Sequence, residues 1–332
     1  MKTFKLLVAI VIFGFVATEA AAQITKITTS YVSDSAAVLP LWIAKDTGIF
    51  ARNGLEVQAV RVHASVGVMA LLSGELQFVL ASGPVVVESA LRGSNTVYVA
   101  GGMSTLDFAL VSRPEIKSAL QLKGATVGLS AFRGANPTAT RFALQKMGVA
   151  PKDVSLIVVG GTPERIASLR AGKIQATLFS PPQNFAAQAE GFNLLADVAD
   201  LGLPFVHVGV ATTRSFVRDN AETVRRYVKS HVEAIHLIKT DRETGIKVLA
   251  KYLRSIKDRD ILGKTYDGAI PDNKFSRKQY PSMPGLQMAL DLLAEENPKA
   301  KSARPDDFVD ARFIKELDQS GYIDGLYKAK ER

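Results

Sequence analysis

The stretch "GELQFVLASGP" (residues 74–84) recurs as "GKIQATLFSPP" (residues 172–182), at a constant offset of 98 residues (172 − 74 = 98). In both copies a glycine ends a helical segment, an apolar run follows as a buried strand, and a proline starts the next helix. The residues shared in register are Gly74/Gly172, Gln77/Gln175, Leu80/Leu178, Ser82/Ser180 and Pro84/Pro182. We interpret these shared residues as scaffold, which predicts the same strand–loop–helix unit twice in one chain.

Strand-like and helix-like segments alternate around both copies, from Ile24 to about Val210. Runs rich in β-branched residues, such as "ITKITTSYV" and "LEVQAVRV", are typical of strands, and the helical spacings between them end at glycine. Strands that alternate with helices favour a parallel sheet with crossover helices. Two such sets predict an α/β fold with two lobes, each a mainly parallel sheet flanked by helices.

Two extended segments connect the two sets, at residues 108–111 and 206–211, and we predict that they form a two-strand hinge. The second lobe, residues 112–205, is then inserted into a discontinuous first lobe of residues 23–107 and 212–332. The end of the first lobe is helical and basic. In "AETVRRYVKSHVEAIHLIK" the apolar stripe of Val224, Tyr227, Val228, Ile235 and Ile238 predicts a long helix that packs on this lobe.

The first 22 residues have the layout of a secretory signal peptide. Lys2 and Lys5 precede the apolar run Leu6–Val16, and Ala20–Ala22 supply small residues at a cleavage site. The apolar run is shorter than the roughly 20 residues that span a bilayer. The chain has no cysteine, which excludes a disulfide scaffold, a thiolate metal site and a lipidated cysteine. We therefore predict export to the periplasm of a Gram-negative cell as a soluble monomer.

Charge and motifs narrow the class of function. The formal net charge is +9, but the basic clusters lack interleaved aromatic residues, so we predict no nucleic-acid partner. The chain contains no G-x-S-x-G, H-E-x-x-H, Walker A or G-x-G-x-x-G signature after a strand. Its four histidines, His63, His207, His231 and His236, are scattered. We predict a protein without catalytic residues, cofactor or metal.

Five loops at predicted strand ends carry serine or asparagine beside helix starts: Ser33–Ala37, His63–Gly67, Ser82–Pro84, Ser130–Asn136 and Ser180–Pro182. Ligands of open α/β sheets bind at the carboxyl ends of the strands, where helix N-termini present free N–H groups. These hydroxyls and amides would form a neutral, preorganised acceptor for an oxyanion. The alternative is that the same residues only cap their helices.

Individual side chains leave further alternatives open. Arg133, beside Gly134, would grip a carboxylate or sulfonate in bidentate fashion, or it would face solvent. His207 would donate to an anion or pack at the hinge. Phe132 and Trp42 would stack an organic ligand, although core packing is the stronger expectation for Trp42.

Longer stretches resemble a known family. "LPLWIAKDTGIFARNGLEV", "ALLSGELQFVLASGP", "LKGATVGLSAFRGANPTATRFALQKMGVAPKDVSLIVVG" and "RIASLRAGKIQATLFSPP" are similar to the periplasmic substrate-binding proteins of nitrate/sulfonate/taurine/bicarbonate ABC importers. That group also contains binders of thiamine-pyrimidine precursors. The resemblance covers most of residues 27–255. It implies the type II periplasmic-binding fold, a ligand site between the lobes and delivery to a membrane permease, but it does not identify the ligand.

The resemblance also implies which residues contact the ligand. Those of the first lobe are Ser33, Asp34, Ser82 and Gly83, and those of the second are Ser130, Arg133, Gly134, Asn136, Ser180 and Pro181. Many members carry an acidic residue where this chain has "FSPP", and its absence disfavours zwitterions such as taurine. "ASGP" offers amides, whereas "FSPP" offers a hydroxyl and an apolar wall because proline lacks an N–H.

We therefore predict a solute-binding protein for a small organic anion, a sulfonate or a carboxylate with a non-polar, possibly aromatic body. The alternatives are a binder of a thiamine-pyrimidine precursor and a ligand-sensing subunit that docks on a receptor. An enzyme of pyrimidine synthesis is the weakest alternative, since that activity is associated with a cysteine-rich motif.

Overall fold

The computed structural model describes residues 24–328, and the predicted signal peptide of residues 1–22 lies outside them. Ten strands form two five-stranded sheets. The strands are β1 (Thr25–Tyr31), β2 (Leu55–Arg61), β3 (Phe78–Ala81), β4 (Thr96–Thr105), β5 (Ala109–Ser112), β6 (Thr126–Leu129), β7 (Ser155–Val158), β8 (Ala176–Phe179), β9 (Asn193–Asp197) and β10 (Pro204–Thr213).

Helices follow most of the strands. Before β10 they are α1 (Leu39–Asp46), α2 (Ile49–Arg52), α3 (Ala64–Ser73), α4 (Gly83–Leu91), α5 (Ala135–Lys146), α6 (Thr162–Arg170) and α7 (Gln183–Ala189). After β10 they are α8 (Arg214–Asp219), α9 (Ala221–Thr240), α10 (Arg242–Tyr252), α11 (Arg259–Ala269), α12 (Met283–Leu293), α13 (Arg312–Gln319) and α14 (Tyr322–Lys328). Short 3-10 helices span Ala36–Val38, Ala119–Leu122, Pro151–Asp153, Ala199–Leu201, Pro298–Lys301 and Pro305–Phe308. No helix within residues 24–328 is long and apolar enough to cross a membrane.

The two sheets share one topology. Sheet 1 has the order β2-β1-β3-β10-β4, and sheet 2 has the order β7-β6-β8-β5-β9. Three neighbouring strands are parallel in each sheet, and the fourth strand runs antiparallel to both of its neighbours. The predicted fold class, two mainly parallel sheets flanked by helices, is confirmed. We call residues 24–105 and 204–328 the sheet-1 unit and residues 109–197 the sheet-2 unit.

The repeated glutamine has the same structural role in both units. Gln77 accepts from the amide of Thr28 at 2.8 Å and donates to the carbonyl of Gly74 at 3.1 Å. Gln175 accepts from the amide of Thr126 at 2.9 Å and donates to the carbonyl of Gly172 at 3.1 Å. Each glutamine therefore fastens the loop before its strand to the neighbouring strand, which explains why the chain carries this residue twice.

We expect Gln77→Ala and Gln175→Ala to destabilise the protein by similar amounts, about 1 kcal/mol each, because each leaves a strand amide without its acceptor. Urea denaturation would measure the loss. Gln58→Ala, at an exposed position of β2, is the control and should change the stability little. Equal stability of all three variants would contradict the assigned role.

The chain passes between the sheets at residues 106–108 and 198–203. The segments predicted as the hinge lie mostly inside strands: residues 109–111 pair in β5 of sheet 2, and residues 206–211 belong to β10 of sheet 1. The reason is that β5 and β10 are almost entirely buried internal strands. Their continuous apolar sequence resembles that of an extended connection between lobes.

The structure differs from the sequence prediction in two helices: one predicted helix is divided in two, and α5 begins at a different residue. The single helix predicted over "LPLWIAKDTGIFARNG" (residues 39–54) divides into α1 and α2 at Gly48, whose φ of 73° lies in the left-handed region. The N-cap of α5 is Gly134 (φ 108°) and not Asn136, which lies in the first turn. The apolar stripe of α9 is buried as predicted, and it joins the same core cluster as residues of β1 and β3.

Candidate ligand-binding site

The carboxyl ends of β6, β7 and β8 meet at one edge of sheet 2, because these three strands are parallel neighbours. The loops that follow them lead into α5, α6 and α7. We call residues 130–134, 159–161 and 180–182 the sheet-2 site loops. The loop after β7 was not among the loops predicted from sequence.

Asn136 holds two of these loops together. Its side-chain oxygen accepts from the amide of Ser130 at 2.9 Å, and its side-chain nitrogen lies 3.4 Å from the carbonyl of Leu178 in β8. Asn136 is buried. Its side chain thus connects the end of β6 to the end of β8, which is a scaffolding role rather than that of a helix cap.

Arg133 spans the two units. Its guanidinium forms an ion pair with Glu88 of α4, and its second terminal nitrogen lies 2.6 Å from a carboxylate oxygen of Glu296, after α12. Both carboxylates belong to the sheet-1 unit, so the charge predicted to grip a ligand is compensated by the protein itself. Phe132, the preceding residue, is 74% exposed, and no aromatic ring within residues 24–328 stacks on it.

The loop after β8 carries Ser180 and the buried Pro181. The carbonyl of Ser180 accepts from the amides of Gln183 at 2.9 Å and Asn184 at 3.4 Å, in the first turn of α7. Asn184 is 5% exposed, and its side-chain oxygen has no donor among the described residues. Asn184 was not predicted as a site residue.

Arg165 of α6 is the site residue that sequence reasoning missed. It is 5% exposed, and it is the only buried lysine or arginine among residues 24–328. Its guanidinium donates to the carbonyls of Gly160 (3.1 Å) and Leu178, and to the hydroxyl oxygens of Thr177 (3.2 Å) and Thr162 (3.3 Å). Burial lowers the pKa of Arg165 to about 10, so its side chain stays protonated at neutral pH.

The segments after β1 and β3 of the sheet-1 unit contain the predicted site residues of the first lobe. Ser33 is exposed, and Asp34 forms an ion pair with Arg61 at 2.7 Å. Ser82 is the buried N-cap of α4, and its side chain makes no capping hydrogen bond. Gly83 fits closely against its neighbours, since a Cβ atom there would lie 3.2 Å from the Cβ of Ala289. Residues of α12 therefore occupy the space beside Gly83.

His207 lies where the chain crosses between the sheets. It is 8% exposed, its ring centroid lies 4.8 Å from that of Phe108, and its Nδ1 lies 3.1 Å from the carbonyl oxygen of Thr105. Burial lowers the pKa of His207 to about 4, and nearby Lys274 acts in the same direction. The sequence left two alternatives for His207, donation to an anion or packing at the hinge. These contacts are those of a side chain packed at the crossing.

An ion pair lies beside His207. The ammonium of Lys274 is 2.5 Å from a carboxylate oxygen of Asp107, and their side chains are 12% and 5% exposed. Burial raises the pKa of the Asp107 carboxyl, and Lys274 partly opposes that rise. This pair ties the loop after α11 to the first crossing of the chain.

A model of the family described as NMT1/THI5 like matches residues 35–243, which is more than half of the chain. The chain belongs to the NMT1/THI5-like family. This match confirms the predicted family resemblance. The three loops at the edge of sheet 2 and the first crossing of this NMT1/THI5-like protein all lie inside the matched residues.

Individual relatives of this NMT1/THI5-like protein are distant. A protein of Brachyspira hyodysenteriae, provisionally named an ABC transporter periplasmic binding protein, is 25% identical over 109 residues. The match covers 33% of this chain and 31% of that protein, so the chain spans about a third of the length of the curated relative it matches.

Two solved structures share the fold. The alkanesulfonate-binding protein of Xanthomonas axonopodis pv. citri, bound to MOPS, superposes with a TM-score of 0.70 at 17% identity, covering 88% of this chain and 100% of that one. The nitrate-binding protein of Synechocystis PCC 6803 gives a TM-score of 0.71 at 14% identity, covering 90% of this chain and 89% of that one. At such identities these structures establish the fold of the family member described here, a two-sheet periplasmic-binding-protein fold.

Proposed function

We propose that the chain is a periplasmic solute-binding protein of the ABC-importer type that closes its two units on a small organic anion. The ligand would be a sulfonate or a carboxylate with a non-polar body, and it would pass to a membrane permease. The family match and the curated relative support the general class. We also propose that the protein is a monomer and that it catalyses no reaction.

The observation that carries the anion proposal is the charge of the loops. Among the loops that follow β1, β2, β3, β6, β7 and β8, Asp34 is the only acidic residue, and it already pairs with Arg61. Apart from Arg133 and His63, the remaining polar groups are hydroxyls and the amides at the starts of α4, α5 and α6. Helix starts favour negative charge because their first N–H groups have no partner within the helix. A cationic ligand would find no free carboxylate in these loops.

The proposed closure uses the two crossings, residues 106–108 and 198–203, as the hinge between lobes. Contacts of one ligand with both units would stabilise the closed arrangement. The ion pairs of Arg133 with Glu88 and Glu296 would then act as a clasp across the opening. The ligand would still select the closed state, because exposed ion pairs contribute only about 0–1 kcal/mol each.

A thermal-shift screen tests the proposal. It would contain alkane- and arenesulfonates, aliphatic and aromatic carboxylates, nitrate, taurine and pyrimidines. We expect a sulfonate or carboxylate to stabilise the protein by about 2.7 kcal/mol when free ligand exceeds its dissociation constant 100-fold. Stabilisation only by a pyrimidine or by taurine would contradict the anion proposal. Turnover of any bound compound would contradict the proposal of a non-enzyme.

A further inference from the structure

We infer that Arg165 supplies the positive charge that selects an anionic ligand at the sheet-2 site loops. The inference rests on the proposed function, since it names the residue that determines the ligand class. None of the residues predicted from sequence has this role, and Arg133 is compensated by Glu88 and Glu296.

The first observation is that no carboxylate among the described residues forms an ion pair with the guanidinium of Arg165. Two largely but not fully buried lysines of the described chain have carboxylate partners: Lys274 pairs with Asp107 and Lys239 with Asp272, both at 2.5 Å. Arg165 donates to carbonyl and hydroxyl oxygens, and no carboxylate within residues 24–328 forms an ion pair with it. The carboxylate of the neighbouring Glu164 acts on Arg165 only through space and raises its pKa less than burial lowers it. Burying a charge without a partner of opposite sign costs several kcal/mol. Such a charge is an expected feature of a site whose counter-charge arrives with the ligand.

The second observation is the position of the Arg165 guanidinium relative to the sheet-2 site loops. Gly160 belongs to the loop after β7, and Leu178 lies two residues before Ser180 of the loop after β8. The carbonyl of Leu178 is shared between Arg165 and Asn136, which in turn holds Ser130 of the loop after β6. The guanidinium therefore bonds directly to the loop after β7 and to the end of β8, and it connects to the loop after β6 through Asn136.

The third observation is the neighbourhood of the guanidinium. Its carbon lies 5.2 Å from the centroid of the Phe179 ring, which is 1% exposed. A charge enclosed by a ring and by backbone is poorly screened by water, so its attraction for a nearby anion is stronger than that of an exposed arginine.

A purely structural role for Arg165, tying β7 to β8, is the competing explanation. It predicts that loss of the guanidinium lowers stability but weakens anionic and neutral ligands equally. Both explanations allow a loss of stability in Arg165 variants. They differ in the ratio of the affinity for an anionic ligand to that for a neutral ligand.

The test measures dissociation constants for two matched pairs of probes, benzenesulfonate with benzenesulfonamide and benzoate with benzamide. In the unchanged protein we expect at least one anion to bind more tightly than its neutral partner. In Arg165→Gln that preference should fall about 10-fold or more, since the glutamine keeps donors but lacks the charge. Arg170→Gln is the control, because it removes the same charge from the exposed side of the same helix, where Arg170 pairs with Glu190.

Arg165→Lys keeps the test decisive if the glutamine variant does not fold. A buried lysine loses its proton more easily than an arginine, so the preference for the anion should decline as pH rises from 7 to 8.5 in this variant. It should stay constant in the unchanged protein and in Arg170→Lys. An undiminished preference in Arg165→Gln, or a preference in Arg165→Lys that does not decline as pH rises, overturns the inference alone. Failure of the unchanged protein to prefer either anion overturns the inference and contradicts the anion proposal.

Discussion

Lys274→Met is expected to lower the free energy of unfolding by about 3–5 kcal/mol at neutral pH. The substitution leaves the carboxylate of Asp107, 5% exposed, without its partner at the first crossing of the chain. Removing one member of a buried ion pair is costly because the remaining charge has lost both water and counter-ion. Denaturant unfolding of the two proteins would measure the difference.

The size of this loss should depend on pH. Burial already raises the pKa of Asp107, and loss of Lys274 removes the interaction that opposes the rise. The pKa of Asp107 in the folded variant would then lie still further above that of the unfolded chain, so the loss relative to the unchanged protein should be smaller at pH 5 than at pH 8.

Two controls accompany the experiment on Lys274. The double variant Asp107→Asn/Lys274→Met should recover part of the stability, since no charge remains at the crossing. Lys26→Met breaks an exposed pair with Glu56 at 3.7 Å and should cost at most about 1 kcal/mol. A loss in Lys274→Met no larger than that of Lys26→Met would refute the assigned role of the buried pair.

Acidification from pH 6.5 to pH 4 is expected to remove up to about 3 kcal/mol of stability for each of two buried histidines. Burial lowers the pKa of His207 and that of His231 from 6.5 to about 4. His231 is 6% exposed, and its Nε2 lies 2.9 Å from the side-chain oxygen of Gln279. Below pH 6.5 the unfolded chain gains protons on these rings while the folded protein stays neutral, so stability falls with pH in that window.

Carboxylates also titrate as pH approaches 4, so histidine variants are needed to identify the contribution of His207 and His231 to the pH dependence of stability. His207→Gln and His231→Gln should each give a flatter dependence of unfolding free energy on pH between 6.5 and 4. His63→Gln should follow the unchanged protein, because His63 is exposed. Parallel curves for all four proteins would show that burial does not depress these pKa values.

Much of the fold was accessible from the sequence because its signals are local. Glycine marked the end of α3 at Gly74, where φ is 85°, and β-branched runs marked the strands. The 98-residue repeat carried the Gln77 and Gln175 contacts in register, so two similar units were a sound expectation. The limits of the units were less accessible, since β5 and β10 have the uninterrupted apolar sequence that both a buried strand and a linker show.

The candidate site was less accessible because its partners are distant in sequence. Arg133 was recognisable as a loop arginine, but Glu88 and Glu296 reach it from the other unit, and neither proximity is visible in the chain order. Arg165 did leave a local signal. It lies four residues before Leu169, so helical spacing puts the arginine on the same buried face of α6 as that leucine. A charged residue on an apolar helix face, four residues after the second glycine of "GG" at a strand end, is a pattern worth seeking in other sequences.

The position of β10 between β3 and β4 determines the order in which the sheets can form. All strands of sheet 2 come from one continuous segment, residues 109–197, so that sheet has every partner once this segment is available. In sheet 1, β4 is an edge strand that pairs with β10, and the whole of sheet 2 lies between those two strands in the chain. Contacts between such distant segments form slowly, because a long loop must close first. As the chain emerges from its N-terminus, the inserted unit can therefore mature before the unit that began first, and β4 stays unpaired for longest.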